Sequence, residues 1–573
     1  MKPTAGFLGI HHRGEGVEGP TAVQTPPGAW QQALTPDRRL GLAVHGEIFN
    51  RADLCRQLGI SEHLPLPQIV LAGWQRWATD FLKHADGVFA LALQADKDLF
   101  LYRDASCLVS LHFCVGAHGQ VAFATDARSL LGLGWARHGI ARRSLHEYLR
   151  FGDIAAPATI FEGVRAVEAG QLVRCSPSGV EAMPGPVAEP KAADSPANFT
   201  AAVEALDVHL RRSVQLRLVD AKRPAAFLSG GIDSALICAL AARVRPDMMA
   251  VTVGFDGAAH DETPVAARIA RHLGLRHEVL RFGHPQYVDA FERLSRQFEQ
   301  PMADPATPAT LLAFEHCREH FDTVLDGTGA DEAVGAMPPR HVRLAVEYGS
   351  LLPQALRRIL VRGMRAIPGI AGYTPILDFE HPADTMIRWR GFTRPEIEAL
   401  CGEPVSFADT AFYRTFARFP RHAHYERYSA LLNAMPCDRL NQATQVSGMR
   451  VRYPFLDRDT DRFIRQLRTE WRYLPGQPKR ILRALLARYV PAPIWDLPKH
   501  GFDFPLQQFL AADDHALVRR YLEAGRWLDR GLLRADLVRG YARRFMAGDR
   551  RLAFRVWALV VLGAWLENHD ELR

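Results

Sequence analysis

Ala225-Ala226-Phe227-Leu228-Ser229-Gly230-Gly231-Ile232-Asp233-Ser234, followed by the helix-compatible run Ala235 to Arg245, decides how this chain is read. Its apolar start reads as a buried strand, its two glycines as a turn too tight for side chains, and its end as a helix start. Adjacent glycines let the backbone approach a ligand closely, and the first helical N–H groups and the helix dipole favour an anion there. The hydroxyls of Ser229 and Ser234 are expected to donate to phosphate oxygens. Asp233 is the odd member. A carboxylate beside a phosphate is repulsive unless a divalent cation lies between them, and Mg²⁺ binds through one or two carboxylates plus phosphate oxygens. The string therefore predicts a magnesium-nucleotide site.

Outward from this loop the pattern is helix and strand in alternation. Val203, Leu206, Leu210 and Val214 fall on one helical face, with Asn198 or Thr200 as N-cap. Further strands are expected at Met249 to Val253, near Glu278 to Phe282, and at Thr323 to Leu325, with a helix through Val265, Ile269 and Leu273. This alternation predicts an α/β, doubly wound parallel sheet with ligands beyond the carboxyl ends of its strands. The last strand runs into Asp326-Gly327-Thr328-Gly329-Ala330-Asp331-Glu332, a second glycine-rich turn. Asp331 and Asp233 are expected at the same sheet edge, holding one Mg²⁺ from two sides. From about residue 340 to 573 the reading is mostly helical.

The first part differs. Runs at Leu40 to Phe49, Val88 to Leu93, Leu99 to Tyr102, Leu111 to Val115 and Val121 to Ala124 alternate with turns, which predicts an antiparallel, two-layer domain. Four prolines (177, 184, 186 and 190) then mark a surface linker. The expected organisation is a domain over 1–175, a linker over 176–197 and a second domain over 198–573.

Composition excludes several classes. A chain of 573 residues is too long for one domain, and 48% apolar with 23% charged residues is the balance of a globular protein. The excess of +7 is modest; only seven of 70 basic residues are lysines, and no arginine block stands out, so nucleic acid is not expected as a partner. Eight scattered cysteines without C-x-x-C spacing suit reduced thiols in a cytoplasmic protein. The start of the chain lacks an apolar signal segment. The longest apolar run, Val556 to Leu566, falls far short of the ~20 residues that span a bilayer, so membrane insertion is not expected.

Three more strings carry weight: Asp438-Arg439, Arg452-Tyr453-Pro454-Phe455-Leu456-Asp457, and Pro498-Lys499-His500-Gly501-Phe502. Where arginine serves nearly every basic position, Lys499 beside a glycine in a proline-rich tract suggests a site needing a compact point charge. Lys479 and Arg480 read instead as structural positions at a helix start.

Taken together, S-G-G-I-D-S at 229–234, D-E at 261–262, G-A-D-E at 329–332, P-F-L-D at 454–457 and P-K-H-G-F at 498–502 resemble the synthetase domain of the asparagine synthetase superfamily, over about 200 to 510. The resemblance implies that a substrate carboxylate is adenylated by Mg-ATP and captured by a nitrogen nucleophile. It implies Leu228, Val253 and Gly327 around AMP, and Ser229, Gly230, Gly231, Asp233 and Ser234 around pyrophosphate. Asp233 and Asp331 would hold Mg²⁺, and Lys499 would be the cation over the reacting centre.

The first domain is similar to the family's N-terminal-nucleophile glutaminase in outline, through Gly46-Glu47-Ile48-Phe49-Asn50, Asp86-Gly87-Val88-Phe89-Ala90 and Arg103-Asp104. It departs in its chemistry. The family's nucleophile is a cysteine at the mature start, where this chain has Lys2, and its oxyanion asparagine is replaced by His45. No release of ammonia from glutamine is expected. In the second domain, Thr328 stands where asparagine synthetases carry glutamate and β-lactam synthetases tyrosine, and Arg450 stands where the family has an acid; both departures bear on the substrate and speak against asparagine synthesis, and Thr328 also against a small-molecule lactam.

A synthetase without its own ammonia source needs another amine, and a tethered one makes the step effectively unimolecular. The branch that fits is the lasso peptide cyclases, which close a macrolactam between a peptide's N-terminal amine and an Asp or Glu side chain. A precursor peptide, a leader-peptide protease and a leader-binding protein are the partners this implies. An ammonia-dependent asparagine synthetase, a small-molecule lactam synthetase and an inactive peptide-binding scaffold are the alternatives.

Overall fold

The structure, a computed structural model, describes residues 8–11, 21–23, 30–36, 39–135, 139–186, 196–255, 261–365, 379–387, 391–420, 422–434, 439–496 and 504–569. Alternation decides the first half. Strands β1 (Leu8–His11), β2 (Thr21–Val23), β3 (Gln31–Leu34), β4 (Leu40–Ile48), β5 (Gly87–Ala95), β6 (Asp98–Arg103), β7 (His112–Val115), β8 (Val121–Ala124), β9 (Arg165–Ala166), β10 (Gln171–Ser176) and β11 (Gly179–Pro184) form two antiparallel sheets. Their orders are β2-β1-β8-β7-β9 and β11-β10-β6-β5-β4-β3. On β5, Phe89, Leu91 and Leu93 pack beneath helices α1 (Arg51–Leu58) and α2 (Leu66–Trp77), while Ala90 and Ala92 face Phe113 and Phe123 of the other sheet. Period-two patterning thus separates an inter-sheet core from a sheet–helix core.

The expected linker over 176–197 begins too early. Gly179 to Pro184 pair antiparallel with β10 over six residues, from Ser176 opposite Gly179 to Gln171 opposite Pro184. Pro184 misleads because β11 is an edge strand, where a missing N–H costs no ladder bond.

In the second half Asn198 caps α3 (Phe199–Leu218) by accepting from the Ala201 N–H at 2.9 Å, and Val203, Leu206, Leu210 and Val214 are its buried face. Then come β12 (Pro224–Phe227), α4 (Ile232–Val244), β13 (Met249–Gly254), α5 (Thr263–Leu273), β14 (Arg276–Arg281), α6 (His284–Gln297), α7 (Thr307–His320), β15 (Thr323–Leu325) and α8 (Ala330–Val334). The helical remainder includes α9 (Arg340–Gly349), α10 (Gln354–Arg365), α11 (Arg480–Leu486) and α12 (Ala553–Glu567), with one further strand, β16 (Val451–Arg452). All neighbours in the sheet are parallel, in the order β14-β13-β12-β15-β16. Two residues are too few to show a period, so β16 escapes a sequence reading. Strand order reverses around β12, which opens a crevice at the carboxyl ends of β12 and β15. Val556 to Leu566 lie in α12, buried on every side, and no described helix is long and apolar enough to cross a membrane.

Charged pairs close the seam between the domains. Glu47 of β4 accepts from Arg450 at 2.7 Å and from two nitrogens of Arg452 at 3.0 Å, and Arg452 also reaches Asp220 at 2.7 Å. Burial works against the charge of Glu47, but the two guanidiniums outweigh it and hold the carboxyl below its ordinary value. Deeper in, Arg217 lies 3.1 Å from Asp457 and 3.8 Å from Asp86, its guanidinium 4.4 Å from the Phe49 ring centre. Burial, and then the charge of Asp457, push Asp86 up to about 7. Arg450, taken from the sequence as a departure bearing on the substrate, is therefore a seam residue. Its guanidinium faces Glu47 and Asp220.

Candidate active site

The loop after β12 holds itself together. Ser229 and Ser234 hydroxyls meet at 2.9 Å, the Ser229 N–H donates to the Ser234 hydroxyl at 3.0 Å, and the Gly231 N–H donates to the Ser229 hydroxyl at 3.1 Å. Here the two hydroxyls brace the turn that leads into α4. Gly231 is the N-cap of α4, and Asp233 falls in its first turn.

The next loop packs on this one. A Cβ on Gly327 would stand 2.8 Å from the Ser234 nitrogen and 3.0 Å from the Asp233 carbonyl carbon, so only glycine permits the approach. Gly329 takes φ +99°, a backbone region that side chains disfavour, and turns the chain into α8. The Asp326 carboxylate steadies the turn by accepting from the Thr328 N–H at 2.7 Å.

Asp233 and Asp331 meet at one cation. The Lys479 ammonium stands 2.5 Å from Asp233 and 2.7 Å from Asp331. Burial works against the ammonium, yet the two carboxylates outweigh it and hold it above its ordinary value. Lys479 precedes α11 with φ 58° and ψ 38°, a left-handed conformation that costs a non-glycine residue roughly 1–2 kcal/mol. Lys479 stands at the helix start expected from the sequence, and it adds an ion pair with both carboxylates. The signal was present, since lysine's scarcity, applied to Lys499, applies equally to Lys479. Lys499 itself, the rest of 498–502 and Asp438 lie outside the described residues.

Two carboxylates against one ammonium leave a net negative charge, and nucleotide phosphates would add more. That donor set suits a hard divalent cation with phosphate oxygens completing its shell. Among the described residues no three His, Cys, Asp or Glu side chains gather into a metal cluster.

A cavity of about 1510 Å³ opens in front of the carboxylates and runs between the two domains. Leu228, Ser229, Asp233, Ser234, Val253 and Gly327 line the end beside the glycine-rich loops, and Gly230 and Gly231 are not among its lining residues. Leu228 is fixed by its N–H donating to Val251 at 2.8 Å and by its carbonyl accepting from Thr252 at 2.5 Å. Arg439 lies 3.6 Å from Asp304 in the middle of the wall, and Phe89, Tyr102 and Asp104 of the first domain line the far end.

With this geometry in hand, comparison with known proteins is informative. Residues 205–567, more than half of the chain, match the asparagine synthase family, and residues 21–184 match the glutamine amidotransferase domain family. A Mycobacterium tuberculosis protein that carries the name of a glutamine-hydrolysing asparagine synthetase is 26% identical, with 94% of this chain and 86% of that protein covered. Asparagine synthetase (glutamine-hydrolysing) 1 of Bacillus subtilis is 22% identical, with 99% and 92% covered. The amidase chyE of Penicillium rubens is also 22% identical, with 92% and 87% covered.

Proposed function

The chain belongs to the asparagine synthase family of ATP-dependent, amide-forming ligases, and from that premise we propose that it is a peptide macrolactam synthetase of the lasso cyclase kind. Its substrate is a precursor peptide, matured by a protease and presented by a leader-binding protein. A side-chain Asp or Glu carboxylate of the peptide attacks the α-phosphorus of ATP, and pyrophosphate leaves. The peptide's N-terminal amine then attacks the acyl carbon, an amide bond forms, AMP departs and the amine loses a proton.

The cavity carries this reading. At about 1510 Å³ it exceeds the roughly 300–1,000 Å³ of ordinary small-molecule sites, leaving room for a chain beside the nucleotide. The loop after β12 would orient pyrophosphate with its N–H groups. Asp233 and Asp331 would hold Mg²⁺, whose contribution is to offset phosphate charge. Lys479 keeps the two carboxylates together, and Lys499 is assigned the charge that builds as AMP leaves.

The first domain we take to be idle as a glutaminase. His45 stands in place of the oxyanion asparagine, its ring 5.8 Å from Trp30. Burial pushes the thiols of Cys55, Cys114, Cys238, Cys317 and Cys401 above their ordinary values, the reverse of an activated nucleophile.

One observation favours ammonia-dependent asparagine synthesis: two relatives covering nearly the whole chain are named asparagine synthetases, of the glutamine-hydrolysing kind, and Arg450, engaged at the seam, no longer opposes it. ATP–pyrophosphate exchange separates the readings. Purified protein should exchange when given a linear peptide with a free N-terminus and an internal Asp or Glu, and the peptide should lose one water. Exchange driven by free aspartate, with asparagine formed from ammonium and the peptide unchanged, would overturn the cyclase reading.

A further inference from the structure

Seven of the twelve exposed large hydrophobic side chains among the described residues fall within 344–360, on α9, α10 and the turn between them. Leu344, Tyr348 and Leu351 follow at helical spacing, and Leu356, Ile359 and Leu360 continue the stripe on α10. Exposure peaks at the turn, with Leu351 at 73%. The opposite face is anchored: Val346 and Val361 are buried, and Arg357 stacks 3.9 Å from the Phe379 ring centre while donating to its carbonyl at 2.8 Å. An apolar edge left outward by helices that already have an inner face marks a docking surface.

Charge selects the occupant. Residues 340–365 hold six arginines and a single acid, Glu347, in a chain whose totals are 70 basic and 63 acidic. Arg340 lies one turn before Leu344, and Arg362 one turn after Ile359, so exposed cations flank both ends of the stripe. A second copy of the chain, meeting this face across a two-fold axis, would set arginines against arginines. The stripe is mainly aliphatic, with leucine and isoleucine at six of its seven positions. It suits acyl chains, which demand no shape complementarity. We propose that the α9–α10 hairpin docks on an anionic phospholipid surface, with Leu351 and its neighbours in the acyl boundary and the exposed Arg340 and Arg362 among the headgroups. The scarcity of long apolar runs excludes a spanning helix only; a helix lying on the surface needs one apolar edge.

Flotation of the full chain with vesicles tests this. Wild-type protein should float with vesicles of phosphatidylcholine and phosphatidylglycerol, stay behind with phosphatidylcholine alone, and be released by salt. The double variant Leu351→Ser/Ile359→Ser should partition about tenfold less or weaker still. Arg340→Glu/Arg362→Glu should lose about tenfold on the anionic vesicles. Both variants should melt with the wild type, since the altered side chains are exposed. Wild type that floats with neither vesicle, or a serine variant that floats like wild type, overturns the proposal. So does a dimer in sedimentation that the serine variant dissociates, or binding to polyglutamate in the absence of flotation, which would assign the face to a second copy or an acidic protein.

Discussion

Lys479 and Arg452 each bridge two carboxylates supplied by distant parts of the chain, and the contrast between them separates a working site from a fixed joint. At the seam, Arg452 is almost wholly buried and spreads its planar fork over Glu47 and Asp220, with Arg450 doubling the contact. At the sheet edge, a lysine offers a compact charge to Asp233 and Asp331, and half of the Asp331 side chain is exposed toward the cavity. A guanidinium presents a planar fork that fixes geometry; an ammonium is a compact point charge. The same charge arithmetic thus stands at the domain seam in one place and open to the cavity in the other.

The largest effect that sharpens this contrast is expected at the open pair. Asp233→Asn and Asp331→Asn should each reduce AMP formation below detection, because one carboxylate cannot offset the phosphates with the ion it would hold. Active Asp331→Asn protein would show that the two loops do not share one ion. At the closed seam, Arg217→Met should leave Asp86 and Asp457 buried without their cation and cost about 3–5 kcal/mol in urea unfolding. Exchange per folded molecule should stay near wild type; a cost below about 1 kcal/mol would break the distinction. The smallest effect depends on pH. Asp86 holds its proton to about 7 in the folded chain against an ordinary 3.8, so stability falls as pH rises through that window. Asp86→Asn should be more stable than wild type above pH 7 by about 1–3 kcal/mol, and melting curves should converge as pH falls toward 4. A gap that widens in acid would mean that Asp86 is ionised throughout.

What could be read from sequence follows the range of the signal. Ser229 to Ser234 and Gly327 to Asp331 were legible because each is a local string whose meaning lies in its own backbone turn. Strands β5 and β8 were legible as short apolar runs set between turns. Lys479 was legible only as a scarce lysine at a helix start, because its partners are two carboxylates far away in the chain. Arg450 was misread for the same reason: the Glu47 that explains it belongs to the other domain. β11 was hidden by prolines that an edge strand tolerates, and β16 by its two-residue length.

The most direct test of the account is ATP–pyrophosphate exchange by Lys479→Met, measured beside wild type with the exchanging substrate and with melting temperature as the fold control. If Lys479 is the cation of the adenylation site, the variant melts lower, since a buried cation is lost, but loses ~10²–10³-fold in exchange rate per folded molecule. Lys479→Arg should recover little, because its fork delivers charge at another distance and angle. Wild-type exchange by Lys479→Met, or loss of exchange only in step with loss of folding, would place Lys479 with the seam arginines and contradict the account.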